Sequence, residues 1–257
     1  MYDIFQTDRL IDLWLTEDIG ACDLTAQVMI DIAARVFKRY DPDVDVRVLV
    51  RDGDRVAKGA KLMNVSGPAR SLLTAERTSL NVLQRMCGIA TLTATYVEAI
   101  RGTRARLIDT RKTTPGLRMI EKHAVACGGG LNHRLGLDNG VMIKDNHIAV
   151  CGGIGKAVER ARRLLPVLTK LEVECDRLEQ VREALDAGVD VIMLDNMTVP
   201  AMAEAVRFVA GRVKLEASGG IRLETIRPIA ETGVDYISTS KTHQSAPAVD
   251  IGLDETA

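Results

Sequence analysis

Alternation marks the first readable element: Val44, Val46, Val48 and Val50 stand at every second position, with Asp45, Arg47 and Leu49 between them. That period predicts a strand with one face more apolar than the other. Asp52-Gly53 reads as a turn, and residues 61–65 (Lys-Leu-Met-Asn-Val) as a short partner strand ahead of Ser66-Gly67-Pro68. Residues 72–96 are rich in Leu, Ala, Glu and Gln, which predicts helix with a break at Cys87-Gly88. Strands followed by long helix suggest an α+β module.

A different rhythm begins near residue 105. Short β-like runs end in charged or hydroxyl residues: 107–109, 141–144, 171–174, 191–195, 213–216 and 236–238. The later polar ends fall at 174, 195, 216 and 238, a step of 21 or 22 that suits a strand plus a crossover helix. The segments between read as helices. Asp176 with Glu179 looks like a capping box, with Leu178, Val181 and Leu185 on one apolar face and Gly188 closing the end. Thr198 and Pro200 open the next, with Met202, Val206 and Val209 inward. Pro228 interrupts the pattern of Leu223, Ile226 and Ile229. Repeated βα units imply a parallel sheet. Polar groups at strand C-terminal ends suit a (β/α) barrel, and suit an open doubly wound sheet as well, so the pattern leaves closure undecided.

Composition narrows the class. With 257 residues, 46% hydrophobic and 27% charged, the chain can bury a large core and lacks the signature of disorder. No apolar run is long enough to span a bilayer, and Asp3, Asp8 and Arg9 interrupt any signal-like start, so a cytoplasmic protein is expected. A net charge of -1 and 3% aromatic residues argue against nucleic-acid binding. Five cysteines, at 22, 87, 127, 151 and 175, form no CxxC pair and read as reduced thiols.

Charge is distributed unevenly. Residues 104–147 hold eight Lys and Arg against four Asp and Glu, together with His123, His133 and His147. Arg104, Arg118 and Lys122 read as solvated surface cations. Arg111, Lys112 and Lys144 sit at or just beyond strand ends, where barrel loops share one cavity. Such a cluster predicts a small polyanionic ligand, a carboxylate or phosphate. Gly128-Gly129-Gly130 leads into Asn132-His133-Arg134, and Ser218-Gly219-Gly220 lies between a strand and a helix, a setting that suits a phosphate. Glu174 and Asp195 are carboxylates on the same rim. Each either pairs with a nearby cation or holds ribose hydroxyls or Mg²⁺.

The blocks at 109–118 (Asp-Thr-Arg-Lys-Thr-Thr-Pro-Gly-Leu-Arg), 127–137 (Cys-Gly-Gly-Gly-Leu-Asn-His-Arg-Leu-Gly-Leu) and 143–147 (Ile-Lys-Asp-Asn-His) closely resemble the quinolinate phosphoribosyltransferase family. So do 171–174, 194–196, 216–220 and 231–238 downstream, and 17–20 and 73–78 upstream, so the resemblance covers nearly the whole chain. It implies a type II phosphoribosyltransferase: an N-terminal α+β sandwich domain over 1–104 and an incomplete (β/α) barrel over 105–244, with the tail 245–257 packing back on the first. It implies transfer of phosphoribosyl from phosphoribosyl pyrophosphate to quinolinate with decarboxylation, giving nicotinate mononucleotide in NAD biosynthesis, with Mg²⁺. By motif, Arg77 would reach the site of a second subunit in a homodimer, with further assembly to a hexamer left open. Arg111, Lys112, His133, Arg134 and Lys144 would bind quinolinate and pyrophosphate. Glu174 and Asp195 would hold the ribose, directly or with Mg²⁺. Ser218, Gly219 and Gly220 would cradle the 5-phosphate. Lys112, Glu174 and Asp195 are the expected catalytic groups.

The chain departs from the family pattern twice. Only 15 residues separate Thr25 from Asp41, where the family carries a longer stretch with a strand. Ser238-Thr239-Ser240 stands where the family often has a glycine after the first Ser and Val, which weakens backbone approach to the phosphate at Ser240, and Lys241 and Gln244 stay outside the expected site. The nearest rival is a same-fold paralogue of the molybdenum-transport-associated type acting on another aromatic acid. A lipoyl-type carrier, suggested by the turn at 52–59, is disfavoured because no lysine sits at a matching hairpin tip.

Overall fold

The structure, a computed structural model, describes residues 30–254 and divides the chain into two compact units: residues 1–83 with 252–257, and residues 84–251. The matches expected at 17–20, the short stretch before residue 30 and Cys22 lie outside the described residues.

The first unit has α1 (Ile30–Tyr40) and an antiparallel pair, β1 (Asp45–Val48) and β2 (Met63–Ser66), in the register Val46↔Val65. Phe37, Val44 and Ala75 form its buried centre, with Val36, Val46, Val65 and Leu72 packed against them. The valine alternation therefore does what its period requires, turning one face of a two-stranded ribbon onto a helix.

Helix α2 (Ala69–Ala99) runs unbroken for 31 residues, and the break expected at Cys87-Gly88 is absent. Gly88 stands there for a different reason. A Cβ at this position would overlap the carbonyl oxygen of Pro247. The chain near the C-terminus lies against this stretch of helix. Val249 N–H donates to the Gln84 carbonyl (3.1 Å), the Gln84 amide to the Ile251 carbonyl (2.8 Å), and Arg85 to the Ala246 carbonyl (3.0 Å).

The second unit carries a six-stranded parallel sheet of β3 (Arg106–Ile108), β4 (Val141–Ile143), β5 (Leu171–Cys175), β6 (Val191–Asp195), β7 (Lys214–Ser218) and β8 (Tyr236–Ser238). The helices between are α3 (Arg118–Cys127), α4 (Asp145–Cys151), α5 (Ile154–Arg162), α6 (Leu178–Asp186), α7 (Val199–Val209) and α8 (Leu223–Glu231). A last short turn, α9 (Lys241–Gln244), follows β8. The strand order β3-β8-β7-β6-β5-β4 is the cyclic order of a barrel, without the reversal of a doubly wound sheet. β3 and β4 do not pair. Leu131 forms a single parallel bridge to Ile108 on the open side, so the barrel is incomplete.

Helix starts follow sequence in one case and not in another. Thr198 caps α7, its hydroxyl accepting from Ala201 N–H, with Pro200 in the first turn. Asp176 does not cap α6. The flanking residue is Arg177, and Asp176 N–H instead donates to the Gln180 side chain (2.8 Å). Pro228 is accommodated inside the nine-residue α8.

Strand alternation then sorts the two faces of the sheet. Leu171, Val173 and Cys175, Ile192 and Leu194, Leu215 and Ala217, and Ile237 all join one buried cluster with Val181, Ala184, Met202, Ala205, Ile226 and Ile229 of the helices. The alternate positions, Glu172, Glu174, Asp195, Glu216, Ser218 and Ser238, occupy the opposite, inner face. Barrel interiors are ordinarily filled by Val, Ile and Leu. Here the main apolar core lies between sheet and helices, and the inner face carries these polar and charged side chains beside Met193 and Ile108.

Candidate active site

Because the sheet is parallel, all strand C-termini share one edge. Arg111 and Lys112 follow β3, Lys144 follows β4, Glu174 and Asp195 lie at the ends of β5 and β6, and Ser218 closes β7 ahead of Gly219 and Gly220. Arg134, on the segment after the Leu131 bridge, donates to the Gly140 carbonyl (3.0 Å). Burial and the neighbouring Arg111 charge hold the Arg134 guanidinium below its ordinary value, with Glu172 opposing. Arg111 Nε is buried without a hydrogen-bond partner. A second guanidinium close enough to disfavour the charge on Arg134 makes an environment that an anion stabilises.

The rim carboxylates differ from one another. Lys144 Nζ donates to Glu174 Oε2 at 2.6 Å, so Glu174 has the cation pairing that the sequence left open. Asp195 accepts from the Asn196 side-chain amide at 2.7 Å. Asn196 itself takes a left-handed φ of 53° and donates its N–H to the Ser218 carbonyl (2.9 Å). Gly219, at φ 92°, passes so close to Asn196 that a Cβ would overlap the amide oxygen. This glycine is required by both its dihedral and its neighbour, which fixes the turn at the end of β7.

Beneath the rim lie groups that sequence reading missed. Asp109 Oδ1 accepts from Lys122 Nζ (2.6 Å) and from His133 N–H (2.8 Å). Lys122, read from sequence as a solvated surface cation, is fully buried: its stem runs through the core from α3 and its ammonium also meets the His133 carbonyl (3.1 Å). Burial pushes Asp109 up to about 6 even against Lys122 and the His133 N–H, and burial likewise lowers Lys122. Glu121, also buried, accepts from Thr114 N–H (3.0 Å) and the Thr114 hydroxyl (2.8 Å), fastening the loop that carries Arg111 and Lys112 to α3. Arg118 donates to the Thr113 hydroxyl (3.1 Å) and the Leu135 carbonyl (3.3 Å), bracing the same loop.

His133 turns its ring inward. Nε2 meets Glu172 at 3.0 Å and Glu216 at 3.5 Å, and Nδ1 accepts from Arg134 N–H at 2.7 Å. Both ring nitrogens are thus engaged inside the protein. Arg77 is an exposed residue of α2 in the first unit. Glu172 and Glu216 had a legible signal: acidic residues alternating with apolar ones in strands that a parallel sheet buries on both faces.

His243, on α9, lies 3.8 Å from Asp109 and 3.6 Å from Glu121, with neither ring nitrogen hydrogen-bonded. Burial lowers it to about 4 against the pull of Glu121. Between its unfolded value of about 6.5 and that folded value, the unfolded chain binds a proton that the native state refuses. Stability therefore falls as pH drops from about 6.5 to about 4, by up to about 3 kcal/mol from this group. Denaturant titrations of the wild type and His243→Met across this range check it, with the variant expected to lose this part of the acid limb.

Fold and rim together define an incomplete α/β-barrel protein whose strand C-terminal edge carries cations, a glycine turn and two carboxylates. Comparison with known proteins makes this specific. Residues 29–87 match the N-terminal domain of quinolinate phosphoribosyl transferase and residues 89–254 its C-terminal domain, and the chain belongs to that family. It is 41% identical over 269 residues to a probable nicotinate-nucleotide pyrophosphorylase (carboxylating) of Synechocystis sp., covering 96% of this chain and 91% of that protein. It is 45% identical over 230 residues to the nicotinate-nucleotide pyrophosphorylase (carboxylating) of Mycobacterium leprae, covering 88% and 81%. The solved nicotinate-nucleotide pyrophosphorylase of Francisella tularensis superposes with a TM-score of 0.84 at 38% identity, over 94% of this chain and 93% of that one.

Proposed function

We propose that this chain transfers the phosphoribosyl group of phosphoribosyl pyrophosphate to quinolinate, with loss of CO₂, forming nicotinate mononucleotide and pyrophosphate in NAD biosynthesis. The observation that carries the reading is the gathering of Arg111, Lys112, Arg134 and Lys144 around strand C-termini, with Arg111 Nε buried and unpartnered. Quinolinate is a dianion and its co-substrate bears several phosphate charges, so the mouth must supply cations from several loops at once.

The pyridine nitrogen attacks C1 of the ribose as the bond from C1 to pyrophosphate breaks, through a transition state with oxocarbenium character. Lys112 and the arginines stabilise the charge that grows on the departing pyrophosphate, and charges fixed in advance supply most of the acceleration. The ring nitrogen is then cationic. The bond from C2 to its carboxylate breaks, CO₂ leaves, and the electron pair stays on C2 beside that cation until a proton arrives. No strong general base is needed. Ser218 and the turn at Gly219 and Gly220 offer the 5-phosphate a backbone cradle ahead of α8.

Glu174 and Asp195 end neighbouring strands and offer only oxygen donors, the donor chemistry that Mg²⁺ takes, so the residues present fit this ion. Held there with pyrophosphate, Mg²⁺ would neutralise charge on the leaving group. Asp195, which accepts only the Asn196 amide among the hydrogen bonds of the described residues, is the freer of the two, because Glu174 is shared with Lys144.

A homodimer completes the reading, with Arg77 of the partner subunit entering the site. In its support, the second unit exposes large apolar side chains at Leu137, Val150, Leu164, Val167 and Leu168, a surface suited to being covered. Mixing Arg77→Ala with Lys112→Ala subunits is expected to restore activity that neither variant has alone, because each mixed dimer contains one undamaged site. Cys151 and Cys175 are thiols outside any disulfide, which suits a reducing, cytoplasmic setting.

One assay tests the reaction. With quinolinate, phosphoribosyl pyrophosphate and Mg²⁺, nicotinate mononucleotide and CO₂ are expected in equal amounts, and nicotinate in place of quinolinate is expected to give no product. Failure to form the mononucleotide from quinolinate would sink the proposal.

A further inference from the structure

Two loops of the rim are tied to one ion pair that lies outside the set assigned to the reactants. Glu121, on α3, is fully buried, and both of its oxygens face donors. Oε2 accepts Thr114 N–H (3.0 Å), while Oε1 accepts the Thr114 hydroxyl (2.8 Å) and Arg85 Nη2 (3.3 Å). Thr114 lies two residues after Lys112 on the loop between β3 and α3. Arg85, on α2, turns the rest of its guanidinium to the chain after β8. Its Nη2 donates to the His243 carbonyl (2.5 Å) and its Nη1 to the Ala246 carbonyl (3.0 Å).

Resting on the function proposed above, we propose that Glu121 and Arg85 are positioning residues for the transfer. Together they brace the loop that carries Arg111 and Lys112 against the turn that follows β8, so that two sides of the site keep a fixed mutual placement.

Two arguments carry this. The first is chemical. Thr114 presents a backbone N–H and a hydroxyl to the same carboxylate, and Arg85 presents a third donor. An apolar side chain could pack α3 onto α2 with no charge to bury, so packing does not require Glu121. The grip on Thr114 does require it, because only a carboxylate accepts from all three donors. Lys112 is exposed, so its placement is set by the loop beneath it. Arg118, on the Thr113 hydroxyl, is a second hold on that loop. The other argument is topological. β8 lies between β3 and β7, so the turn after it stands between two rim loops. Thr239 N–H donates to the Ile108 carbonyl (3.3 Å), and its hydroxyl donates to the Ile221 carbonyl (3.1 Å), beside Gly220. Beyond the turn the chain is laid along α2, with Pro247 seated at Gly88 and Val249 on the Gln84 carbonyl. Arg85 therefore meets the cation loop through Glu121 and the turn beside Gly219 and Gly220 through α9.

Glu121→Gln keeps the shape of the side chain but offers one acceptor oxygen and an amide donor, so at least one bond to Thr114 or Arg85 is lost. In the folded variant, checked by circular dichroism and a thermal melt, kcat is expected to fall by about tenfold to a hundredfold, the scale of a small displacement at reacting groups. In a Lys112→Ala background the same change is expected to cost less than about threefold, because a residue that acts through Lys112 then has little left to misplace. Arg85→Lys keeps the charge but replaces the planar fork by one ammonium, and is expected to lower kcat and to raise KM for phosphoribosyl pyrophosphate severalfold. Thr114→Val removes only the hydroxyl, and carries the same pair of measurements should Glu121→Gln not fold. An unchanged kcat in the folded variants overturns the proposal. So do equal fold losses with and without Lys112, since a general loosening of the protein acts independently of that side chain. A wild type that consumes no quinolinate sinks the functional reading and takes the brace with it, whereas an active wild type with unchanged or independent losses sinks the brace alone.

Discussion

Lys112→Ala is expected to cut turnover by about a hundredfold to a thousandfold, the range for removing one preorganised group that meets transition-state charge. The side chain is exposed at the mouth and forms no ion pair among the described residues, so its loss should leave the fold intact. Circular dichroism and a thermal melt matching the wild type would establish that. Arg111→Ala is expected to do comparable damage for a second reason: its Nε lies buried with no partner in the protein, which leaves a ligand oxygen as the group to satisfy it. Steady-state kinetics with both substrates varied is the measurement. A loss of only a few-fold in either variant would remove that residue from the chemistry.

Lys122→Met is expected to lower stability by about 3–5 kcal/mol, the cost of leaving a buried carboxylate without its cation. Asp109 and Lys122 are both fully inaccessible and 2.6 Å apart, so no water takes over the pairing. The sign with pH follows from Asp109. Its folded value, already raised to about 6 by burial, rises further once the cation is gone, while the unfolded group stays near 3.8. The variant's native state then keeps a proton that wild-type Asp109 gives up, so its deficit against the wild type grows as pH rises above about 6. Urea titrations at pH 5 and pH 8 test this, with the larger deficit at pH 8. Asp109→Leu combined with Lys122→Met is expected to recover part of the loss, since an apolar pair needs no compensation.

Much of this architecture was legible in the chain because each feature rests on local periodicity. Val44 to Val50 showed a strand by alternation, and the step of 21 or 22 residues showed repeated βα units. Thr198 with Pro200 marked a helix start with two independent signals. Gly88 misled, because glycine reads the same whether it ends a helix or admits the Pro247 carbonyl from 159 residues away in sequence. Asp176 misled in a similar way: its backbone found a partner in Gln180, a choice set by loop geometry. The rim cations were found because strand ends in a parallel sheet share an edge. The groups beneath them were missed for a physical reason. Lys122 is chemically a surface residue, and only a carboxylate brought to it by the fold allows burial. Glu172 and Glu216 are 44 residues apart and become neighbours only when β5, β6 and β7 pair.

The separation of apolar and polar faces in the barrel sheet has an evolutionary corollary. Cohesion is stored on the side turned to the helices, while the polar groups sit on the side turned inward, and the two alternate along the same few strands. Inward positions can therefore be exchanged to suit a different aromatic acid with little penalty to folding, which makes such a scaffold readily retuned from one small-molecule specificity to another.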